Sequence, residues 1–170
     1  MIDKVPNFIE IGKLLIKDAQ TIAEVEMINF VLNNFDKQGF VDGSITNWEM
    51  RKDGSDSGRA ILMKTAALRD GNKITQSSTK RIVLSNDAKY SKLHNEGGVI
   101  HIVITKKMRS YFWAMYQQTK LGKWKAMALN KNQILTIKIP KRQFMGPSTT
   151  FNKTIEQKLL KAIVNRFKTS

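Results

Sequence analysis

The sequence predicts one α+β domain over residues 1–170, in which a small antiparallel or mixed sheet packs with long N-terminal and C-terminal amphipathic helices. Apolar residues recur at helical spacing in the first and last segments, and short β-branched runs lie between them. The sequence has neither an internal repeat nor a linker of biased composition. We therefore expect a single hydrophobic core.

The two terminal helices follow from apolar positions that are mostly three, four or seven residues apart. From residue 7 to about residue 34 these positions are Ile11, Leu15, Ile22, Val25, Leu32 and Phe35. At the other end they are Phe151, Ile155, Leu159, Ile163 and Phe167, flanked by Leu160 and Val164. Each set predicts a helix whose apolar stripe faces the core.

The segment after the first helix, residues 35–59, is predicted to be a partly mobile loop. It contains four glycines and several Asp and Ser residues, with Phe40 and Trp48 as isolated apolar anchors. Residues 60–68 contain good helix formers and predict a short helix. Arg69-Asp70-Gly71 is a turn signal that should end it.

Three β-branched runs predict strands, at residues 81–84, 99–104 and 134–139. Leu135, Ile137 and Ile139 share one face of the last run. Pro140 ends that strand, because proline cannot donate to a ladder of hydrogen bonds.

Two further helical segments are expected between these strands. Residues 87–95 predict a short helix that Gly97 and Gly98 close, since glycine tolerates positive φ. A basic, aromatic insertion at about residues 106–132 has helical content and is broken at Gly122.

Composition excludes several classes of protein. The chain has no cysteine, which rules out a disulfide framework, a thiolate nucleophile and a cysteine-bound zinc ion. No run approaches the ~20 apolar residues of a membrane span, and a start with Asp3 and Pro6 is unlike a signal peptide. We expect a soluble protein that is used inside a cell and has no membrane partner.

The net charge of +15 is unevenly distributed along the chain. Residues 1–96 contain fourteen Lys/Arg and thirteen Asp/Glu, whereas residues 97–155 contain eleven Lys/Arg and no acid. Residues 156–170 contain four Lys/Arg and one Glu. Such a local excess of positive charge predicts an acidic partner, either nucleic acid or protein.

The insertion supplies the candidate contacts to that partner, which are cations interleaved with aromatic residues: Lys106, Lys107, Arg109, Trp113, Lys120, Lys123, Trp124 and Lys125. On a nucleic-acid surface, cations would neutralise phosphates and rings would stack on bases. Alternatively, the rings pack against a core or a neighbouring subunit, and the lysines keep a face solvated. The sequence leaves both interpretations open.

No catalytic, cofactor or metal site is predicted. The two histidines, His94 and His101, lack the spacing of a metal motif. Asp53 and Asp56 have no paired carboxylate in the basic half, so local sequence assembles neither an acid/base pair nor a two-metal site. A Walker loop, a dinucleotide fingerprint and a nucleophile elbow are also missing. We expect a protein that is not an enzyme, and a hydrolase whose site forms only in three dimensions is a distant third choice.

Three separated segments, residues 62–70, 90–98 and 139–146, carry a family resemblance. Residues 62–70 are similar to a stretch that contains Leu, Thr-Gly and Leu-Arg-Asp in that order. Residues 90–98 are similar to an element with Tyr-Ala, His and Gly-Gly. Residues 139–146 are similar to a signature with Ile-Pro, Arg and Phe-Leu-Gly. With Trp48 upstream and a closing helix downstream, this order resembles the phage virion morphogenesis family, the tail-completion proteins of Mu-like and P2-like phages. The residues that carry the resemblance are Thr65, Leu68, Arg69, Tyr90, His94, Gly97, Gly98, Pro140, Arg142, Phe144 and Gly146.

The resemblance implies a non-enzymatic component that completes the phage tail or the head–tail junction, built as a ring of copies of this chain. Its partners would be other copies, tail or connector proteins, and DNA in the channel. Its location would be the virion tail, after assembly in the cytoplasm of a host bacterium. The alternative function is a basic nucleic-acid-binding protein.

Some positions depart from the family pattern. Ala66 stands where the family usually has glycine, and Gly71-Asn72 replaces Ser-Ile, so the turn after Leu68 is expected to differ in shape. The insertion is also longer than in the shorter members. For Tyr90, His94 and Phe144, we expect structural roles before direct recognition, because aromatic side chains usually anchor cores.

Overall fold

The structure is a computed structural model that describes residues 7–51 and 58–168. In these residues the elements, in chain order, are α1 (Phe8–Asp36), β1 (Gly39–Asp42), β2 (Ser44–Asn47), α2 (Ala67–Asp70), β3 (Asn72–Ser77), β4 (Ile82–Asn86), α3 (Ser91–Glu96), β5 (Gly98–Val103), α4 (Lys106–Thr119), α5 (Gly122–Ala128), β6 (Ile134–Ile139) and α6 (Thr149–Lys168). This confirms the predicted α+β class with long terminal helices. The described strands form three separate antiparallel pairs, β1–β2, β3–β4 and β5–β6.

The main hydrophobic cluster is built on the C-terminal half of α1. Val31 and Phe35 are almost completely buried there, and Phe144 is completely buried. The ring centroid of Phe35 lies 5.3 Å from that of Trp48 and 5.2 Å from that of Phe144. Ile61 and Leu68 complete the buried set. Trp48 is therefore an anchor, as predicted.

Residues 39–47 form a hairpin, so the prediction of a loop is wrong there. Gly43 makes the turn with φ at +69°, a left-handed conformation that glycine adopts without strain. The carboxylate of Asp42 accepts hydrogen bonds from the amide and the hydroxyl of Thr149, both at 2.7 Å. The hairpin thus caps the N-terminus of α6, and these bonds lower the pKa of Asp42. The rest of the predicted loop, including Asp53 and Asp56, lies largely outside the described residues.

The helix predicted at residues 60–68 is also wrong. Leu62 and Ala66 have left-handed backbones, with φ of 62° and 55°. In addition, the Arg51 guanidinium donates to the carbonyls of Arg59 and Ala60, at 2.7 and 2.9 Å. Because those carbonyls accept hydrogen bonds from Arg51, they do not start a helix at residue 60. The short helix α2 begins only after Ala66. It ends at Gly71, as the turn signal predicted.

The predicted insertion forms a second hydrophobic cluster, so the expectation of a single core is wrong. Ile104, Phe112 and Ala128 are buried in it, and the half-buried residues around them are Met108, Trp124, Met127 and Leu135. All of these residues lie between positions 104 and 135. Helices α4 and α5 therefore pack on each other and on the end of the β5–β6 pair, with no residue shared with the main cluster.

The two terminal helices pack against each other. The Arg166 guanidinium donates to both carboxylate oxygens of Asp18, at 2.7 and 2.8 Å, and this pair lowers the pKa of Asp18. Lys158 contacts the largely buried carboxylate of Glu26 at 2.5 Å. No described residue of α6 is fully buried, however. The predicted inward stripe of α6 is thus only partly covered.

The left-handed backbone at Ala66 predicts that Ala66→Gly stabilises the protein. The left-handed conformation costs an L-residue about 1–2 kcal/mol, and glycine removes this cost. The greater freedom of glycine in the unfolded chain offsets about 0.5–1 kcal/mol of that stabilisation. We expect the free energy of unfolding, measured by urea denaturation, to rise by about 0.5–1 kcal/mol. The control is Ala67→Gly, one residue later in α2, which should lower it by up to about 1 kcal/mol. Equal losses in both variants would show that Ala66 is unstrained.

Candidate functional site

The segment that follows β6, residues 140–146, is here called the strap, and Phe144 within it is completely buried. Its backbone is held by side chains instead of a strand partner. The side-chain Oδ1 of Asn95 accepts hydrogen bonds from the backbone amides of Phe144 and Met145, both at 2.9 Å. The Asn34 amide donates to the carbonyl of Phe144 at 3.1 Å, and the Trp48 indole donates to that of Gln143 at 2.8 Å. The strap is therefore fixed to α1, α3 and the residue after β2.

Gly97 explains how the strap lies so close to α3. Its φ is +76°, and a Cβ atom added there would lie 2.8 Å from the amide nitrogen of Lys141. The next amide of the strap, that of Arg142, donates to the carbonyl of His94 at 2.8 Å. A side chain at position 97 would push the strap away, so this glycine keeps Arg142 beside His94.

The motif residues of all three segments meet at one cavity of about 240 Å³. Five of them line it: Thr65, Leu68, Tyr90, His94 and Arg142. The other described lining residues are Arg51, Arg59, Ile61, Leu62 and Lys64. Four of the ten described lining residues are thus Lys or Arg, and none of those ten is acidic. Segments far apart in sequence build a concave, cationic site.

Arg142 is the fixed cation of this cavity. Its Nε and Nη2 atoms donate to the carbonyl of Glu49, at 3.1 and 2.9 Å. Burial lowers the pKa of Arg142, Glu49 raises it, and the neighbouring Arg51 lowers it. Since arginine stays protonated at neutral pH, the cavity carries a positive charge held in one orientation.

His94 is a neutral base at the same cavity. Burial, and then the charge of Arg142, lower its pKa from the ordinary value. No described residue hydrogen-bonds its buried Nδ1 atom. Tyr90 packs on His94 in an edge-to-face arrangement, with the two ring centroids 5.8 Å apart. The imidazole is therefore held in place with one polar atom unused among the described residues.

The other motif residues have structural positions. Arg69 forms ion pairs with Asp36 and Asp70 at 3.7 and 3.2 Å, away from the cavity. Phe144 is a core anchor, as predicted. Tyr90 is 44% exposed and His94 half-buried, so both line the cavity instead of anchoring the core.

Sequence reasoning missed the polar residues that hold the site together. Asn34 is completely buried, and its side chain also accepts the amide of Val41 at 3.1 Å. A polar residue between the apolar Val31 and Phe35 was a usable signal for a buried hydrogen bond. Arg51 and Lys64 gave no such signal, because exposed loops normally contain basic residues.

The basic insertion divides into exposed and structural residues. Lys106, Lys107, Lys120, Lys123 and Lys125 are exposed, and Trp113 is 37% exposed. Arg109 instead donates to the carbonyls of Ala128 and Asn130, at 2.6 and 2.8 Å, and so closes the end of α5. Trp124 stacks on Phe112 with centroids 6.1 Å apart, inside the second cluster. Arg109 and Trp124 therefore have structural positions, and the contact role predicted for the set stays a prediction.

Within residues 7–51 and 58–168, no three His, Asp or Glu side chains lie together as metal ligands would. None of the helices in the same residues is both long enough and apolar enough to cross a bilayer. Comparison of the chain with protein-family models, curated proteins and solved structures found no match in any of the three.

The lowered pKa of His94 predicts a pH dependence of stability. The unfolded chain protonates this group at the ordinary value of 6.5, whereas the folded protein does so only at lower pH. In between, the unfolded state binds more protons, so the free energy of unfolding falls as the pH is lowered through that interval. Urea denaturation of His94→Gln should show a smaller fall between pH 7.5 and pH 5 than wild type. His101→Gln keeps His94 and should keep the wild-type fall; equal falls in all three proteins would contradict the assignment.

Proposed function

We propose that the protein is a non-enzymatic structural protein of phage or prophage virion assembly, which completes the tail or the head–tail junction as a ring of identical subunits. The three motif segments that resemble the virion morphogenesis family support this class. The observation that carries an assembly role is the apolar surface left uncovered on the terminal helices.

The uncovered apolar residues lie on both helices of the α1–α6 pair. On α1, Phe8, Ile9 and Ile16 are 62%, 76% and 53% exposed. On α6, Leu160 and Phe167 are 56% and 49% exposed. Phe8 and Phe167 adjoin, with ring centroids 6.5 Å apart, so the two helices contribute to one surface. Single exposed apolar residues are ordinary, but an adjoining group of this kind marks an interaction site.

A ring requires two different patches on each subunit, because a head-to-tail interface joins unlike surfaces. The α1–α6 surface is one candidate. The second is the α4–α5 pair, where Tyr111, Leu121 and Leu129 are 54%, 49% and 55% exposed. Apolar contacts between these two patches of neighbouring subunits would close the ring.

The assembly role predicts that charge placed on the α1–α6 surface prevents self-association. The double variant Leu160→Glu, Val164→Glu introduces two carboxylates on exposed positions of α6 and so leaves the main cluster intact. Light scattering after gel filtration should show oligomers for wild type and a folded monomer for the variant. Lys161→Glu, also exposed on α6, is the control and should still associate. A wild-type protein that stays monomeric at high concentration, and is missing from purified tails, would contradict the proposal.

A second candidate function, nucleic-acid binding, is favoured by the exposed lysines of α4 and α5. They have no acidic residue near them in sequence, since residues 97–155 contain none. Lys125 also lies over the Tyr116 ring, with its Nζ 5.8 Å from the centroid. Cations beside partly exposed rings are suited to a phosphate backbone and its bases.

Reversal of three of these lysines separates the two functions. In Lys120→Glu, Lys123→Glu, Lys125→Glu, a nucleic-acid-binding protein should lose DNA affinity but still assemble. For wild type, the logarithm of the DNA association constant should then fall against the logarithm of salt concentration, with a slope of about −0.9 per phosphate neutralised. At physiological salt we expect unselective dissociation constants of ~10⁻⁴ to 10⁻⁶ M. A tail protein that uses this face should instead lose assembly while it stays folded. The matched control, Lys80→Glu, Lys89→Glu, Lys92→Glu, makes the same charge change at other exposed positions. If the triple variant changes neither DNA binding nor assembly, the exposed lysines of α4 and α5 contribute to neither function.

A further inference from the structure

We propose that the cavity lined by Lys64, Thr65, Tyr90, His94 and Arg142 is a binding site for a carboxylate presented by a peptide chain. The site lies outside the surfaces on which the assembly role depends, so it can be tested separately from that role.

The first argument is the set of hydrogen-bond donors that meet at the cavity. The Lys64 ammonium, the Thr65 and Tyr90 hydroxyls and Nη1 of Arg142 all belong to lining residues. None of these four groups has a hydrogen-bond or ion-pair partner among residues 7–51 and 58–168. An oxyanion accepts several hydrogen bonds at once, and bonds from charged donors are the stronger ones.

The second argument is charge. Arg142 is oriented by the carbonyl of Glu49, which is neutral and leaves the positive charge of the guanidinium in place. Lys64 adds a second cation to the lining, and Glu49 is an acidic residue near Arg142. A partly buried cation is stabilised by a negative partner, since its loss of hydration is otherwise uncompensated.

The third argument is size. A volume of 240 Å³ is below the ~300–1,000 Å³ of pockets that enclose whole drug-sized ligands. The cavity therefore does not enclose a whole nucleotide. An acidic side chain or a chain terminus fits, because its carboxylate stands at the end of a narrow stem.

The pKa of His94 reports whether a carboxylate is bound in the cavity. A carboxylate bound beside it favours the protonated imidazole and therefore raises the pKa of His94. Tyr90 packs on His94 and Arg142 lies beside it, and the other described charged residues that line the same cavity are Arg51, Arg59 and Lys64. These groups are already present in the unbound protein, so a change on titration reports the added anion.

The experiment follows the imidazole resonances of the full chain by NMR at constant ionic strength. Sodium acetate, inorganic phosphate and an end-blocked peptide rich in Asp and Glu are added in separate titrations. We expect acetate and the peptide to shift His94 and raise its pKa, and to leave His101 unchanged. Saturation by the peptide at lower concentration than by acetate assigns the source to a peptide chain; equal affinities support a free acid as the source of the same carboxylate.

Substitution of Lys64 tests the location of the site. Lys64→Gln removes one charged donor at an exposed position and should weaken peptide binding about tenfold, the equivalent of one charge-assisted hydrogen bond. Lys131→Gln, an exposed lysine beyond α5, is the matched control and should bind as wild type does. A response to phosphate alone, no response to any probe, or equal binding by both variants would overturn the proposal.

Discussion

The strap sets the main constraint on this fold, because it places the buried Phe144 in the main cluster without a strand to pair with. A buried peptide group without a partner costs about 1–3 kcal/mol, so the backbone groups around Phe144 need partners from elsewhere in the chain. The side chains of Asn34, Asn95 and Trp48 supply those partners from three separate segments. The ring of Phe144 then fills the centre of the main cluster. Polar and apolar contacts of one short segment thus hold the elements of the main cluster in place.

The cavity is a direct result of that constraint. The strap carries Arg142 and is joined by its backbone to His94 on α3, and Gly97 permits the close approach. Arg51, which donates to the carbonyls of Arg59 and Ala60, also lines the cavity. The motif residues therefore serve two purposes: some make the segment fit, and others become the lining of the space beside it.

Sequence periodicity predicted the long helices and three of the strands because those elements depend on local pattern. The hairpin at residues 39–47 was missed, since its strands have four residues each and mostly polar side chains. The helix at 60–68 was mispredicted for a different reason: the carbonyls of Arg59 and Ala60, at its start, accept hydrogen bonds from Arg51, a partner that propensity does not include. For α6 the pattern identified an apolar stripe, but periodicity cannot say which surface covers it. The cavity could not be predicted from the sequence, because its walls come from several separate segments.

The second cluster has a consequence for how the chain tolerates change. Its buried residues all come from positions 104–135, and the β5–β6 pair is its covalent connection to the rest of the molecule. Changes in the length or composition of α4 and α5 therefore leave the contacts of the main cluster in place. Residues 104–135 are the part of the described chain whose sequence can change with the least disturbance of the strap and the cavity.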